Sequence, residues 1–173
     1  RQLEAMLTKT ERILAHAQLL GLLSYPHEQL EEAERDLCMS EFHDILPGSS
    51  VQPVEETSLR QLDHGLEILT RLHAQAFFAL ASQSARALPG EIPVLIYNPH
   101  AHPVEGDFSC EFMLADQNWK DEFTRPRVYA RSGELPSQVE KEDSNLTLDW
   151  RKRMVFHATL APMAINRFDC RMD

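Results

Sequence analysis

A histidine and an aspartate stand side by side at positions 43 and 44, within the segment EFHDILPGSS of residues 41–50. A neutral imidazole is a good Zn²⁺ ligand, and a neighbouring carboxylate can orient a ligand or accept hydrogen bonds from substrate hydroxyls. Adjacent helical side chains point about 100° apart, so His43 and Asp44 would not simply chelate one ion, although at a helix end both can face one cleft. Taken alone, such a dipeptide before Pro47-Gly48 is more often a plain helix end than a piece of a site.

Two further histidines, His100 and His102, form an H-x-H pair that would share one face if it lay on a strand. Prolines at positions 99 and 103 favour a loop instead, which argues against a metal role. The other histidines stand singly among polar or helical neighbours, and we expect surface or packing roles for all of them: His16, His27, His64, His73 and His157.

Charge and composition exclude several classes of function. The net charge of −10 argues against a nucleic-acid partner, and no apolar run approaches the ~18 residues that cross a membrane. Cys38, Cys110 and Cys170 lack metal-site spacing, so we expect buried free thiols in a reducing compartment and a cytoplasmic protein. The triplet Asn145-Leu146-Thr147 fits a glycosylation sequon, which matters only in a secreted protein.

Helical periodicity extends from residue 3 to about residue 86. Breaks at Tyr25-Pro26 and Pro47-Gly48 predict three helices, with Ser49 and Ser50 as caps of the third. Short connections between amphipathic helices predict antiparallel neighbours in a bundle. We assign the apolar stripes to the core: Leu3, Leu7, Thr10, Leu14, Ala17 and Gly21 in the first helix, Leu30, Ala33, Leu37, Phe42 and Ile45 in the second, and Leu59, Leu62, Leu66, Leu69, Leu72, Ala76 and Leu80 in the third.

Leu88-Pro89-Gly90 marks the change from helical to strand periodicity. The apolar run from Ile92 to Tyr97 and the later segments SCEFML, RVYARS and MVFHATLAPMAINRFDCR predict strands. The fold class is therefore α+β: an antiparallel three-helix bundle over residues 1–88, then over residues 89–173 the beginning of an antiparallel β-sandwich-like domain. The strands are too few to close a sandwich, so we expect a piece of a longer polypeptide.

The sequence segments around the His-Asp pair resemble the middle domain of glycoside hydrolase family 38, the class II α-mannosidases. FHDILPGSS, followed by VQPVEET and a long helix, is similar to the family's central motif, and YPHEQLEEAERDL resembles the helix before it. IPVLIYNPHAHPVEGDF, LPSQVEKE and KRMVFHATLAPMAINRF resemble strands of the family's β domain. Glu41 replaces the usual Gln and Ala164 a common Gly, and neither change touches the pair.

This resemblance implies a zinc-dependent, retaining α-mannosidase that hydrolyses α-linked mannose from oligosaccharides or small mannosides. By position, His43 matches the zinc-binding histidine of the motif, and Asp44 matches the aspartate that contacts the mannose beside the metal. The nucleophile, the general acid and the other zinc ligands would come from an N-terminal catalytic domain of the same chain. No catalytic residue is therefore expected within residues 1–173, and the isolated fragment is expected to be inactive.

Two alternatives stay open. One is a mannosylglycerate-type hydrolase within the same family, because leaving-group recognition lies elsewhere. The other, from a different class, is a non-catalytic helical-bundle interaction module with a β appendage, which predicts an exposed apolar patch on the helices and no clustering around His43. Homo-oligomerisation also stays open.

Overall fold

The computed structural model describes residues 1–120, 123–143 and 149–172, which form three helices followed by seven strands. The predicted α+β order, with helices before antiparallel strands, is confirmed. The chain divides into two compact units, Arg1–Gln83 and Ser84–Asp173. The elements are α1 (Gln2–Leu19), α2 (His27–Ser40), α3 (Gln52–Ala81), β1 (Glu91–Asn98), β2 (Val104–Met113), β3 (Pro126–Ala130), β4 (Gly133–Glu134), β5 (Ser137–Glu140), β6 (Arg151–Leu160) and β7 (Ala164–Met172).

The assignment of the two units to a middle domain and a following β domain stays a prediction at this point. The sequon at Asn145-Leu146-Thr147 lies outside the described residues. Within the described ranges, none of the helices combines the length and the apolar content that spanning a membrane requires.

The longest helix, α3, holds the helical unit together because it packs against both α1 and α2. At Gly65 of α3, an added Cβ would lie 3.1 Å from both terminal carbons of Leu3, so α1 approaches closer than a larger residue would allow. Thr10 is fully buried, and its hydroxyl donates a hydrogen bond to the carbonyl of Leu69 (3.4 Å). The core of this unit consists of Leu3, Ile13, Leu14, Ala17, Leu30, Ala33, Ile68, Leu69, Leu72, Ala76 and Leu80.

The predicted helical stripes are wrong at their ends. α1 ends at Leu19 and α2 at Ser40, so Gly21, Phe42 and Ile45 lie in the connections. Phe42 is 49% exposed, and Leu59, near the start of α3, is 56% exposed. A regular spacing of apolar residues does not reveal where the neighbouring helix stops covering the stripe. The antiparallel arrangement of the bundle stays a prediction.

The start of α3 also differs from the prediction. Val51 occupies the N-cap position, in an extended conformation, where Ser49 or Ser50 was expected. The hydroxyl of Ser49 instead donates to the carbonyl of Asp44 (3.3 Å). Pro53 lies in the first turn of α3, where a missing N–H leaves no intrahelical bond unmade.

The described part of the β unit forms two antiparallel sheets, in the strand orders β1-β7-β3-β4 and β2-β6-β5. Alternate residues of β6 are buried because successive side chains of a strand point to opposite faces. The long predicted strand segment from Met154 to Arg171 is split by a turn into β6 and β7. Both sheets direct apolar residues into one shared core: Val128, Met154, Phe156, Ala158, Leu160, Phe168 and Cys170.

An ion pair links α2 and α3 at His64. Its Nδ1 lies 2.8 Å from a carboxylate oxygen of Asp36, and its Nε2 lies 3.8 Å from a carboxylate oxygen of Glu32. The hydrogen bond with Asp36 raises the pKa of His64 above the ordinary value of 6.5. Local sequence patterns do not indicate this pair, because it joins residues on different helices.

We predict that His64→Gln destabilises the helical unit more in acid than in alkali. A histidine whose pKa is raised in the folded state contributes stability that is complete below the unfolded-state pKa and is lost as the pH rises through the folded-state pKa. Urea unfolding followed by the helical circular dichroism signal, at about pH 5.5 and about pH 9, measures the difference. His27→Gln is the matched control. An equal loss of stability for His64→Gln at both pH values would contradict the pair's role.

Candidate functional site

His43 and Asp44 lie in the connection between α2 and α3, residues 41–51, within a series of turns over residues 41–48. The amide of Ile45 donates to the carbonyl of Phe42 (2.9 Å), and the amide of Gly48 donates to the carbonyl of Ile45 (3.0 Å). Gly48 has a φ of +74°, a left-handed conformation that glycine adopts without strain. The backbone that carries the two candidate residues is therefore braced by its own hydrogen bonds.

Both side chains of the pair are open to solvent. His43 is 78% exposed and Asp44 is 64% exposed, and Nε2 of His43 lies 3.6 Å from Oδ2 of Asp44. That separation is too long for a hydrogen bond, and an exposed ion pair of this kind contributes little stability. The Phe42 ring lies beside the imidazole, with centroids 4.3 Å apart. The stability of the helical unit therefore does not explain why these two polar groups lie here.

The expectation based on helical geometry is wrong here, because α2 ends before His43. The turn brings an imidazole nitrogen and a carboxylate oxygen close to each other, where a helix would have separated them. An ion bound to the His43 imidazole would therefore have the Asp44 carboxylate beside it.

A complete metal site needs further ligands. Among residues 1–120, 123–143 and 149–172, no three or more His, Cys, Asp or Glu side chains are grouped so that they could hold a metal ion. Structural and catalytic zinc sites take three or four protein ligands. For zinc, His43 would therefore need partners from outside the described residues.

The loop predicted for His100 and His102 is confirmed. Both residues lie between β1 and β2, with ring centroids 5.2 Å apart. Buried Asn98 fixes this loop, because its side chain donates to the carbonyl of His102 and accepts from the amide of His100, both at 3.0 Å.

Sequence reasoning missed the surroundings of His157. Its Nδ1 lies 2.8 Å from Asp107 and its Nε2 lies 3.1 Å from Glu105, and these two hydrogen bonds raise the pKa of His157. The antiparallel register places His157 opposite Asp107 across β2 and β6. Alternation along β2 puts Glu105 and Asp107 on one face, but only the pairing with β6 shows which residue they meet.

The three cysteines do not share one environment. Cys170 is buried and Cys110 is half-buried, but Cys38 is exposed on α2. The expectation of three buried thiols is therefore wrong for Cys38.

Exposed apolar side chains accompany the candidate pair along the connection and the start of α3. Leu46 is 71% exposed and Val51 is 68% exposed. Such a concentration of apolar surface is typical of a region that contacts another protein surface. The complete set is Phe42, Leu46, Val51, Val54 and Leu59.

A comparison with protein families identifies the family that the helical unit resembles. Residues 1–80 match the family described as the alpha mannosidase middle domain, a range that includes His43, Asp44 and their connection. The resemblance of residues 1–80 to the middle domain of glycoside hydrolase family 38 is thus confirmed. That family implies a glycoside hydrolase of the α-mannosidase type as the full-length protein. No curated protein matches the chain.

We predict that Gly48→Ala destabilises the helical unit by about 1 kcal/mol, because the left-handed conformation strains any residue with a Cβ. An added Cβ would meet no atom within 4 Å, so steric contact contributes nothing to this cost. Urea unfolding of the helical unit measures it. Gly48→Asn is the matched control and should cost less, because Asn tolerates this conformation. If Ala and Asn were equally harmless, the turn would not depend on Gly48.

Proposed function

We propose that this chain is part of a zinc-dependent, retaining α-mannosidase, in which His43 supplies one zinc ligand and Asp44 contacts the mannose bound beside the metal. The substrates would be oligosaccharides or small mannosides with α-linked mannose. The remaining ligands, the nucleophile and the general acid would come from a catalytic domain outside residues 1–173. We further propose that the helices form an antiparallel bundle and that the strands begin a β-sandwich-like domain.

The observation that carries this proposal is the exposure of His43 and Asp44 on a hydrogen-bonded turn inside the matched family domain. A polar pair that served the bundle alone would be expected to bond to α1, α2 or α3. The carboxylate of Asp44 and the imidazole of His43 instead lie nearest to each other, at 3.6 Å. Their arrangement supports a role for a partner outside the helical unit.

Each side chain has a defined chemical task under this proposal. His43 must be neutral to offer a ring nitrogen to the metal, and Asp44 must be ionised to accept hydrogen bonds from sugar hydroxyls. When bound, the zinc would supply Lewis-acid contacts to the sugar's hydroxyl groups. The Gly48 turn and the hydrogen bond from Ser49 to the main-chain carbonyl of Asp44 brace the backbone that carries both side chains.

Substitutions in the full-length enzyme test the two roles separately. His43→Ala should lower both the bound zinc and the hydrolysis of an aryl α-mannoside, with kcat/KM falling by at least about 100-fold. Asp44→Asn should leave the zinc content close to one per chain while kcat/KM falls by a similar factor, because the loss concerns the sugar. Metal analysis by mass spectrometry and steady-state kinetics measure the two effects.

The matched control is His27→Ala, which removes another exposed histidine of the same unit. It should change neither zinc content nor kinetics. Wild-type zinc content and turnover in His43→Ala would refute the assignment of His43 as a ligand.

We predict that the 173-residue chain by itself binds zinc weakly and does not hydrolyse an aryl α-mannoside. One imidazole and one carboxylate give too few ligands for a stable site. Isothermal titration calorimetry with zinc, on the wild-type chain and on His43→Ala, measures the affinity. Tight one-to-one binding that disappears in His43→Ala would show that the chain completes a site without a catalytic domain.

The exposed apolar residues of the connection favour one alternative, a non-catalytic interaction module. Under that alternative, Leu46→Ser would impair assembly with a partner, while His43→Ala in the full-length protein would be neutral. Under our proposal, His43→Ala abolishes activity whatever the effect of Leu46→Ser on assembly.

A mannosylglycerate-type hydrolase would be distinguished by its substrate preference. The measurement compares the turnover of mannosylglycerate with the turnover of an aryl α-mannoside and of a mannose disaccharide.

A further inference from the structure

His157 bridges two carboxylates on the outer face of one sheet of the β unit. Its Nδ1 lies 2.8 Å from Oδ1 of Asp107, and its Nε2 lies 3.1 Å from Oε1 of Glu105. His157 of β6 lies directly opposite Asp107 of β2, and Glu105 shares a face of β2 with Asp107 because the two are two residues apart. The neighbours of His157 along β6, Phe156 and Ala158, are buried in the core. The bridge therefore lies on the side of the sheet that faces away from the core.

Both ring nitrogens of His157 are within hydrogen-bond distance of a carboxylate oxygen. An ionised carboxylate has no hydrogen to donate, and a neutral imidazole has a single N–H. A neutral ring could therefore bond to one of the two carboxylates, while its other nitrogen would face the second carboxylate with a lone pair. Both contacts are hydrogen bonds only when the ring is an imidazolium, which donates from both nitrogens. The geometry thus fits the protonated form of His157.

We propose that His157, Glu105 and Asp107 form a proton-dependent clamp between β2 and β6, which is closed while His157 is protonated and opens when that proton is lost. The hydrogen bonds with Asp107 and Glu105 raise the pKa of His157 above the ordinary value of 6.5. The clamp therefore stays closed at a higher pH than a solitary histidine would allow. It is independent of His43 and of the proposed hydrolase activity.

The clamp holds a stretch of β2 that has little packing of its own. Gly106 lies between Glu105 and Asp107 and is paired with Ala158 of β6. A Cβ added at Gly106 would meet no described atom within 4 Å, so there is open space at this position on the inner face of β2. A glycine in a strand interior weakens the strand because it has no side chain to pack. The contact across the outer face therefore matters more here than at positions where both faces are packed.

The other cations on this face of the sheet are engaged elsewhere. The strand registers place four further charged residues on the face: Arg151 and Arg153 of β6, Glu111 of β2 and Glu140 of β5. Arg153 forms ion pairs with Glu111 and Glu140, and Arg151 forms one with Glu142. Within the part of the chain that the structure describes, Glu105 and Asp107 form ion pairs with His157 alone. Loss of its proton therefore leaves two negative charges beside a neutral ring.

The contribution of the clamp to stability has a defined pH range. A histidine whose pKa is raised in the folded state stabilises fully below the unfolded-state pKa of about 6.5, and the contribution is lost as the pH rises through the folded-state pKa. Both tryptophans of the chain, Trp119 and Trp150, lie in the β unit, so their fluorescence follows the thermal unfolding of that unit separately from the helices. In the whole chain, His157→Gln should lower the unfolding temperature by about 2–4 °C at about pH 5.5 and by less than about 1 °C at about pH 9.

Titration of the histidine ring nitrogens by ¹⁵N nuclear magnetic resonance follows the proton itself. Asp107→Asn and Glu105→Gln should each lower the pKa of His157, because each replaces a negatively charged acceptor by a neutral amide. Glu111→Gln is the matched control, since it removes a carboxylate of β2 that pairs with Arg153 on the same face. It should change the titration of His157 much less than either of the other two variants.

Three results would overturn the proposal. One is an equal loss of stability in His157→Gln at both pH values. Another is a His157 that titrates at or below the ordinary value of 6.5 in the wild-type chain. The third is an unchanged pKa of His157 in both Asp107→Asn and Glu105→Gln. The last two results do not depend on the folding of His157→Gln, because the histidine is retained.

Discussion

The close approach of α1 to α3 is the contact on which the helical unit depends. Gly65 makes it possible, because the two terminal carbons of Leu3 occupy the space that a Cβ would need. A glycine inside a helix costs about 1 kcal/mol relative to alanine, and burial of Leu3 and its neighbours offsets that loss. The helix α3 packs against α2 as well as against α1. The position of the connection between α2 and α3 follows from that packing.

The connection combines a rigid backbone with exposed side chains. Its amides bond within the turn, and Gly48 allows the change of direction toward α3. The side chains of His43 and Asp44 are exposed and contribute little to the stability of the helical unit, and the apolar Leu46 and Val51 are also exposed. Exposed side chains on a hydrogen-bonded turn are typical of a surface that contacts another surface.

Local patterns in the sequence predicted the order of elements well. Periodicity placed the helices and the strand from Ile92, and the prolines placed His100 and His102 in a loop. What failed depended on tertiary contacts: α2 stops at Ser40 although its apolar pattern continues to Ile45. The ion pairs of His64 with Asp36 and of His157 with Asp107 join residues far apart in the chain. The role of His43 came from the resemblance of a whole segment, because the dipeptide alone carries too little information.

We propose that the imidazole of His43 binds a metal whose other ligands lie outside this chain. Crystals of the zinc-bound full-length enzyme, with data collected on both sides of the zinc absorption edge, would locate the ion directly. We expect a ring nitrogen of His43 at about 2.0–2.1 Å from the zinc, with the Asp44 carboxylate next to it. A zinc ion with a complete set of other ligands, and His43 packed away from it and from any bound sugar, would refute the role of His43 as a ligand.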